Sequence, residues 1–366
     1  MEAFKDLLNK HFFDRLNKII VGIDNLFNYD LFMLKVYDNS WKDRELKQRT
    51  RHIAVCFNET LNKDYKESIQ IIKSIAAKAK KEEPSNYNIG YLFLPEFIEA
   101  FGLEYFDESI DAIEEVTELM SCEFAVRPFI IRYKDKMIEK MLVWSNADNH
   151  HLRRLASEGC RPRLPWAMQL PEFIKNPSPI FPILHNLIND ESEYVKKSVA
   201  NNLNDISKEN ADLVIQFIKQ YIGKDKSTDK WLKHAARTLL KNADDRVYTI
   251  FGLKNNIEFE LLNFKIDKLK INKGEELAFE FELKNGGNFE NNFRLEYAIY
   301  YLKSNGNHNR KLFKISDKML NGKETIKVKR KQSFKDFTTR KHYSGLHKIA
   351  VVVNGKESNN LEFYII

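Results

Sequence analysis

Cysteine is scarce in this chain: Cys56, Cys122 and Cys160 are the only three among 366 residues. An odd number without metal-ligand spacing argues against a disulfide framework or a thiolate zinc site. Reduced thiols in a cytoplasm are the expectation. No apolar run approaches the roughly 18 residues that a bilayer span needs. The opening stretch MEAFKDLLNKHFFDRLNKII mixes charges into its apolar residues and has no small-residue cleavage site, so neither a signal peptide nor a membrane partner is expected. Glycine-rich phosphate loops, a nucleophile elbow and paired CxxC motifs are absent as well. His150 and His151 adjoin but have no third candidate ligand nearby, so neither a metal nor a cofactor is expected.

An excess of one charge sign is missing from most of the chain and concentrated in the rest. The net charge is +7, and residues 257–366 hold 21 basic against 14 acidic residues, which accounts for all of it. Between Lys303 and Lys348, 14 basic residues face only Asp317, Glu324 and Asp336. Such a block points to a polyanionic partner; its plainer alternative is a strand edge guarded by lysines.

Residues 1–255 read as helices. Phe4, Leu7, Leu8 and Phe12 have helical spacing, and amphipathic stretches follow near 45–59, 65–81 and 107–120. Lys80 to Asn88 is a polar connector, and Pro95 lies at the start of an apolar helix. From about residue 120 a repeat emerges. Leu152-Arg153-Arg154-Leu155-Ala156 recurs as Val195-Lys196-Lys197-Ser198-Val199-Ala200 and as Leu232-Lys233-His234-Ala235-Ala236. Spacings of 43 and 37 residues are close to those of HEAT-like helical pairs. Stacking such repeats predicts one basic stripe from Arg153/Arg154, Lys196/Lys197 and Lys233/His234, suited to successive phosphates of a duplex.

Near Gly252 the period changes to strict alternation, as in Leu277 to Leu283, Leu295 to Tyr301 and Ile349 to Val353. Turn signals at Lys273-Gly274, Asn285-Gly286-Gly287, Asn305-Gly306, Asn321-Gly322 and Asn354-Gly355 separate the runs. About 110 residues of this kind fit an immunoglobulin-like β-sandwich. The expected architecture is therefore a HEAT-like α-solenoid, 1–255, followed by a sandwich, 256–366.

The stretch from Asn149 to Trp166 stands apart. Asn149 is a candidate N-cap, Gly159 a candidate stop, and Pro162 and Pro165 forbid resumption of the helix. Glu158 then lies in the last turn, where the macrodipole disfavours a carboxylate by some tenths of a kcal/mol. Arg153, Arg154, Arg161 and Arg163 surround it in sequence, and Trp166 follows. An acid at the wrong helix end, collared by arginines, reads as a site.

Residues 153–159 with 161–166 resemble the signature of the AlkC-type DNA alkylation-repair glycosylases. Ser121 to Phe129 and Val195 to Lys208 extend the match, and the run from Thr338 to Gly355 resembles the immunoglobulin-like domain that some members append. Cys122 and Cys160 depart from the pattern without removing a charged or aromatic site residue. The resemblance implies a bacterial, monofunctional glycosylase, acting as a monomer on alkylated double-stranded DNA. It would release 3-methyladenine and 3-methylcytosine without flipping the base. Glu158 would face the sugar and position water, Glu123 would assist, and Trp166 would pack on the deoxyribose or the exposed base. Arg153, Arg154, Arg161, Arg163, Lys196, Lys197, Asn201, Lys233 and Arg340 would contact DNA. Structural alternatives stay open: an ion pair of Glu158 with Arg154 or Arg161, one of Glu123 with Arg127, a core position for Trp166, and a cap or core-edge role for Asn201. A non-catalytic scaffold and a damage-sensing DNA-binding module are the competing functions.

Overall fold

A computed structural model describes residues 4–82, 89–336 and 341–366. Of the connector expected at Lys80–Asn88, residues 80–82 belong to the helix Tyr65–Glu82 and 83–88 lie outside the described residues, as does the candidate DNA contact Arg340. The chain divides into two compact units, Met1–Val214 with Tyr221–Ala235, and Ile215–Gln220 with Ala236–Ile366.

The first unit is helical. Asn9 accepts from the Phe12 amide and starts the helix Lys10–Val21, whose Phe12, Phe13, Leu16, Ile19 and Ile20 are buried on one side. The helix Leu46–Leu61 packs against Phe93–Phe101, and Tyr65–Glu82 against Phe106–Val116. Phe57 holds this part together, with ring centroids 5.3 Å from Phe27, 5.7 Å from Phe93 and 6.3 Å from Phe97. Each fully buried ring of this kind contributes about 1.5–3 kcal/mol. Pro95 falls in the first turn of its helix, where its missing N–H has no partner to lose.

The three sequence repeats are three stacked helices. His150–Gly159 packs on Glu193–Ile206, which packs in turn on Lys226–Ala235. At equivalent positions Ala156, Val199 and Ala236 are all buried, and Val195 and Leu232 are buried where Leu152 is half-buried. This arrangement is the HEAT-like solenoid, in which each helix hides a stripe it cannot bury alone.

The second unit carries nine strands among the described residues: β1 Phe259–Ile266, β2 Lys270–Ile271, β3 Glu276–Asn285, β4 Asn291–Leu302, β5 His308–Leu320, β6 Thr325–Ser333, β7 Gly345–Val353, β8 Lys356–Glu357 and β9 Leu361–Ile365. They form one sheet in the order β1-β3-β6 and a second in the order β2-β9-β7-β4-β5, with β8 beside β7. Phe279, Phe281 and Leu283 from the first sheet meet Phe293, Leu295, Ile299, Ile349 and Val351 from the second in one core. The Tyr297 hydroxyl donates to Gln332 Oε1 across it at 2.7 Å. This is an immunoglobulin-like sandwich. Strands β5 and β6 lie in the lysine-rich block, where alternation is masked because both kinds of position carry charge. Gly274, Gly306 and Gly355 take positive φ as the turn signals predict, but at Asn321-Gly322 it is Lys323 that does so.

Candidate functional site

The site begins with the helix His150–Gly159. The Asn149 side chain accepts from the His151 amide at 2.8 Å, as an N-cap should. Its other end differs from expectation. Gly159 is the last helical residue, is not left-handed, and is required by packing. A Cβ there would meet Val126 Cγ2 at 2.7 Å and Met141 Cε at 3.0 Å. Glycine here admits a close neighbour rather than reversing the chain.

Glu158 is only 5% exposed. Arg161 Nη1 donates to its Oε1 at 2.5 Å, Ser198 Oγ donates to its Oε2 at 2.7 Å, and Arg154 Nη2 lies 3.6 Å from Oε1. Arg161 also donates from Nε to Asp205 Oδ2 at 2.9 Å, and Lys208 lies 3.3 Å from Asp205 Oδ1. On the other side Arg154 donates to Ser121 Oγ at 2.6 Å and to the Glu123 carboxylate, with its guanidinium 5.0 Å from the Tyr194 ring centroid. The result is a chain of alternating charge: Lys208, Asp205, Arg161, Glu158, Arg154, Glu123. Burial opposes the Arg154 charge, yet Glu123 and Glu158 outweigh it and hold its pKa above the ordinary value. The same balance holds for Arg161, with Glu158 and Asp205 as its carboxylates. Within this chain Glu123 is the more open acid, its side chain 18% exposed against 7% for Glu158.

Trp166 is not a core residue. It is 70% exposed and its backbone is left-handed, with φ +65°, a conformation that costs a non-glycine residue about 1–3 kcal/mol. Its carbonyl accepts from Lys47 Nζ at 3.1 Å. The alternative pairing of Glu123 with Arg127 is not formed. Arg127 is fully buried, and its Nε and Nη1 donate to the Met168, Gly159 and Arg161 carbonyls.

The predicted stripe of open cations needs correction. Arg153 donates to Asp190 at 2.6 Å, Arg163 to Glu209 at 2.6 Å, and Lys196 to Ser227 at 2.8 Å while lying 3.1 Å from Glu193. Arg154, Arg161 and Lys196 are buried or nearly so. Asn201 Oδ1 and His234 Nε2 are 3.2 Å apart. Lys233 is half-buried and engaged, whereas Lys197 is exposed. Repeat stacking explains much of this: Arg153, Arg161, Arg163 and Lys196 each meet an acid or hydroxyl one repeat further on, and Arg154 meets Ser121 and Glu123 one repeat back. The His150 and His151 rings lie 4.2 Å apart, and no cluster of three or more ligating side chains occurs among the described residues. Nor is any helix among them long and apolar enough to cross a membrane.

Sequence reasoning passes over Ser198, Asp205, Ser121 and Lys47. The repeat period is the available signal, since Arg161 and Asp205 are 44 residues apart, Glu158 and Ser198 are 40, and Arg153 and Asp190 are 37.

The fold and site together define a helical-repeat protein with an appended immunoglobulin-like domain and a buried chain of ion pairs. Residues 41–242 match the family described as DNA alkylation repair enzyme, and residues 260–366 match the C-terminal Ig-like domain of uncharacterised protein YhaZ. The chain belongs to the DNA alkylation repair enzyme family. It is 39% identical over 365 residues, 100% of both chains, to uncharacterized protein YhaZ of Bacillus subtilis (strain 168). It is 30% identical, with a TM-score of 0.92 and full coverage of both chains, to the Pseudomonas fluorescens alkylpurine DNA glycosylase AlkC, whose structure is bound to DNA containing an abasic site analog.

Proposed function

We propose that this protein is a monofunctional DNA glycosylase that removes cationic N-alkylated bases, 3-methyladenine and 3-methylcytosine, from double-stranded DNA. Its likeness over the full chain to an alkylpurine DNA glycosylase supports the reaction class. The observation that carries the reading within the chain is the pairing of two fixed carboxylates, Glu158 and Glu123, through one guanidinium, Arg154.

A base alkylated on a ring nitrogen carries positive charge and leaves as a neutral molecule, so little acid catalysis is required. As the C1′–N bond breaks, charge moves onto the sugar, and an oxocarbenium-like transition state gains from nearby anions. Glu158, held by Arg161 and Ser198, supplies a negative charge that does not reorient. Glu123, the more open acid, meets the nucleotide and takes over the water-orienting role that the sequence reading gave to Glu158. The exposed indole of Trp166 offers an electron-rich face to a cationic base. Excision is proposed to proceed without a flipped base, as the family resemblance implies.

The test is base release from duplex DNA treated with a methylating agent, read by alkali cleavage. The Glu158→Gln variant keeps DNA binding and loses release by roughly a hundredfold or more. Wild-type release by that variant refutes the assignment. A protein that binds methylated duplex and leaves no abasic sites is a damage sensor, and one that ignores it is a scaffold.

A further inference from the structure

Trp166 is 70% exposed, so its direction depends largely on its backbone, and that backbone is set from beneath. We propose that Arg127 is the positioning residue for Trp166, acting through the loop Gly159–Met168 and not on DNA. The inference rests on the glycosylase reading for what the indole does, though not for how it is held.

Arg127 sits on the helix Val126–Arg132 with no exposed surface. Its planar group ties down both ends of the loop at once: Nη1 donates to the Gly159 and Arg161 carbonyls at 2.9 Å each, and Nε donates to the Met168 carbonyl at 2.6 Å. A guanidinium presents donors in a fixed fork, whereas a lysine ammonium is a point charge on a flexible stem. Between these anchors the loop turns at Trp166 in the left-handed region. Lys47, whose Nζ lies 4.5 Å from the Phe124 ring centroid, holds the Trp166 carbonyl, and the Leu170 amide donates to the Pro162 carbonyl at 3.1 Å.

An arginine kept for stability would be expected to have a carboxylate. The acid nearest in sequence, Glu123, is bound by Arg154 instead, and Arg127 donates to three main-chain carbonyls. Its Nη2 is buried without a hydrogen-bond partner. Burial pushes the guanidinium down to about 10. A cation buried on carbonyls is costly, and what it secures here is the geometry of one loop.

The experiment uses the full chain labelled with 5-fluorotryptophan. The four tryptophans, Trp41, Trp144, Trp166 and Trp231, give four fluorine resonances, and Trp166→Phe identifies its own. Arg127→Lys, with Arg127→Gln measured in parallel, is expected to shift or broaden the Trp166 line and leave the other three in place. Single-turnover release from dimethyl sulfate-treated duplex should slow by roughly tenfold to a hundredfold in Arg127→Lys, with binding to undamaged duplex unchanged. In the Trp166→Ala background the Arg127 substitution should cost nothing more. An unmoved Trp166 line overturns the proposal, as do effects of the two substitutions that multiply. Absence of base release by the wild type defeats the glycosylase reading alone, because the fluorine spectra still decide whether Arg127 sets the indole.

Discussion

Two charge clusters, one in each unit, set acids among several cations, and they differ in what surrounds them. Glu158 and Asp205 lie in the helical unit with side chains 7% and 4% exposed, and share Arg161 between them. Glu280 lies on β3 of the sandwich, within 3.1 Å of Lys265, 3.3 Å of Lys327 and 3.0 Å of Lys329. In the first case the arginines are enclosed and rigid; in the second the lysines are half to two-thirds exposed. Desolvated charges must be matched closely or they destabilise the fold, while exposed ones are screened and replaceable. The helical unit therefore uses charge to fix geometry, and the sandwich uses it to set a field.

That contrast is broken or sharpened by one exchange made in both places. Asp205→Asn leaves Arg161 buried with half its partners and takes the facing carboxylate away from Lys208. The expected loss is about 3 kcal/mol of folding stability, read from the urea midpoint at constant slope. A loss below about 1 kcal/mol would mean that the alternating chain is not coupled and that the buried pairs behave like surface ones. Glu280→Gln, the same acid-to-amide change, should lower the midpoint at neutral pH far less than Asp205→Asn does, because its lysines are exposed to solvent.

How far these features are legible in the sequence depends on what determines each one. The helical period, the repeat of Leu152, Val195 and Leu232, and the alternation in β3, β4 and β7 come from burial of one face, and burial leaves a periodic trace. Strand β6 is obscured because Lys327, Lys329, Arg330 and Lys331 crowd it and hide the period of two, as the adjacent Arg310 and Lys311 do in β5. Glu158 can be singled out because a carboxylate at a helix C-terminus runs against the dipole. What it binds cannot be, since Ser198 and Asp205 approach only when the next repeat stacks. Gly159 misleads for a related reason: glycine marks both a left-handed turn and a close approach, and only packing distinguishes them.

The next test bears on the field. Lys327, Lys329 and Lys331 pair across β3 with Glu282, Glu280 and Ala278, and stand together on β6, an edge strand. Replacing all three by Gln in the full chain removes cations without touching the core. If they meet phosphates, DNA affinity falls alike for damaged and undamaged duplex, and the slope of log affinity against log salt flattens by about one for each phosphate no longer neutralised. If affinity and slope are both retained, these lysines only guard the strand edge.

The smallest effect is expected from Glu280 itself, in acid. Hydrogen bonds from Lys329 and Lys265, with Lys327 behind them, hold its pKa down to about 2. An unfolded glutamate takes up its proton near pH 4.3, by the ordinary value for such a side chain. Above that pH the carboxylate is ionised in both states, and its contribution to stability is fully present. As the pH falls from about 4.3 toward 2 the unfolded chain binds the proton first, so the contribution drains away. Glu280→Gln cannot take up a proton, so its thermal midpoint should decline less steeply over that window than the wild type's. The difference should shrink in high salt, because all three lysines are exposed to solvent. Parallel declines for the two proteins would mean that the lysine cage does not hold the carboxylate, and that its cations are freer than their spacing indicates.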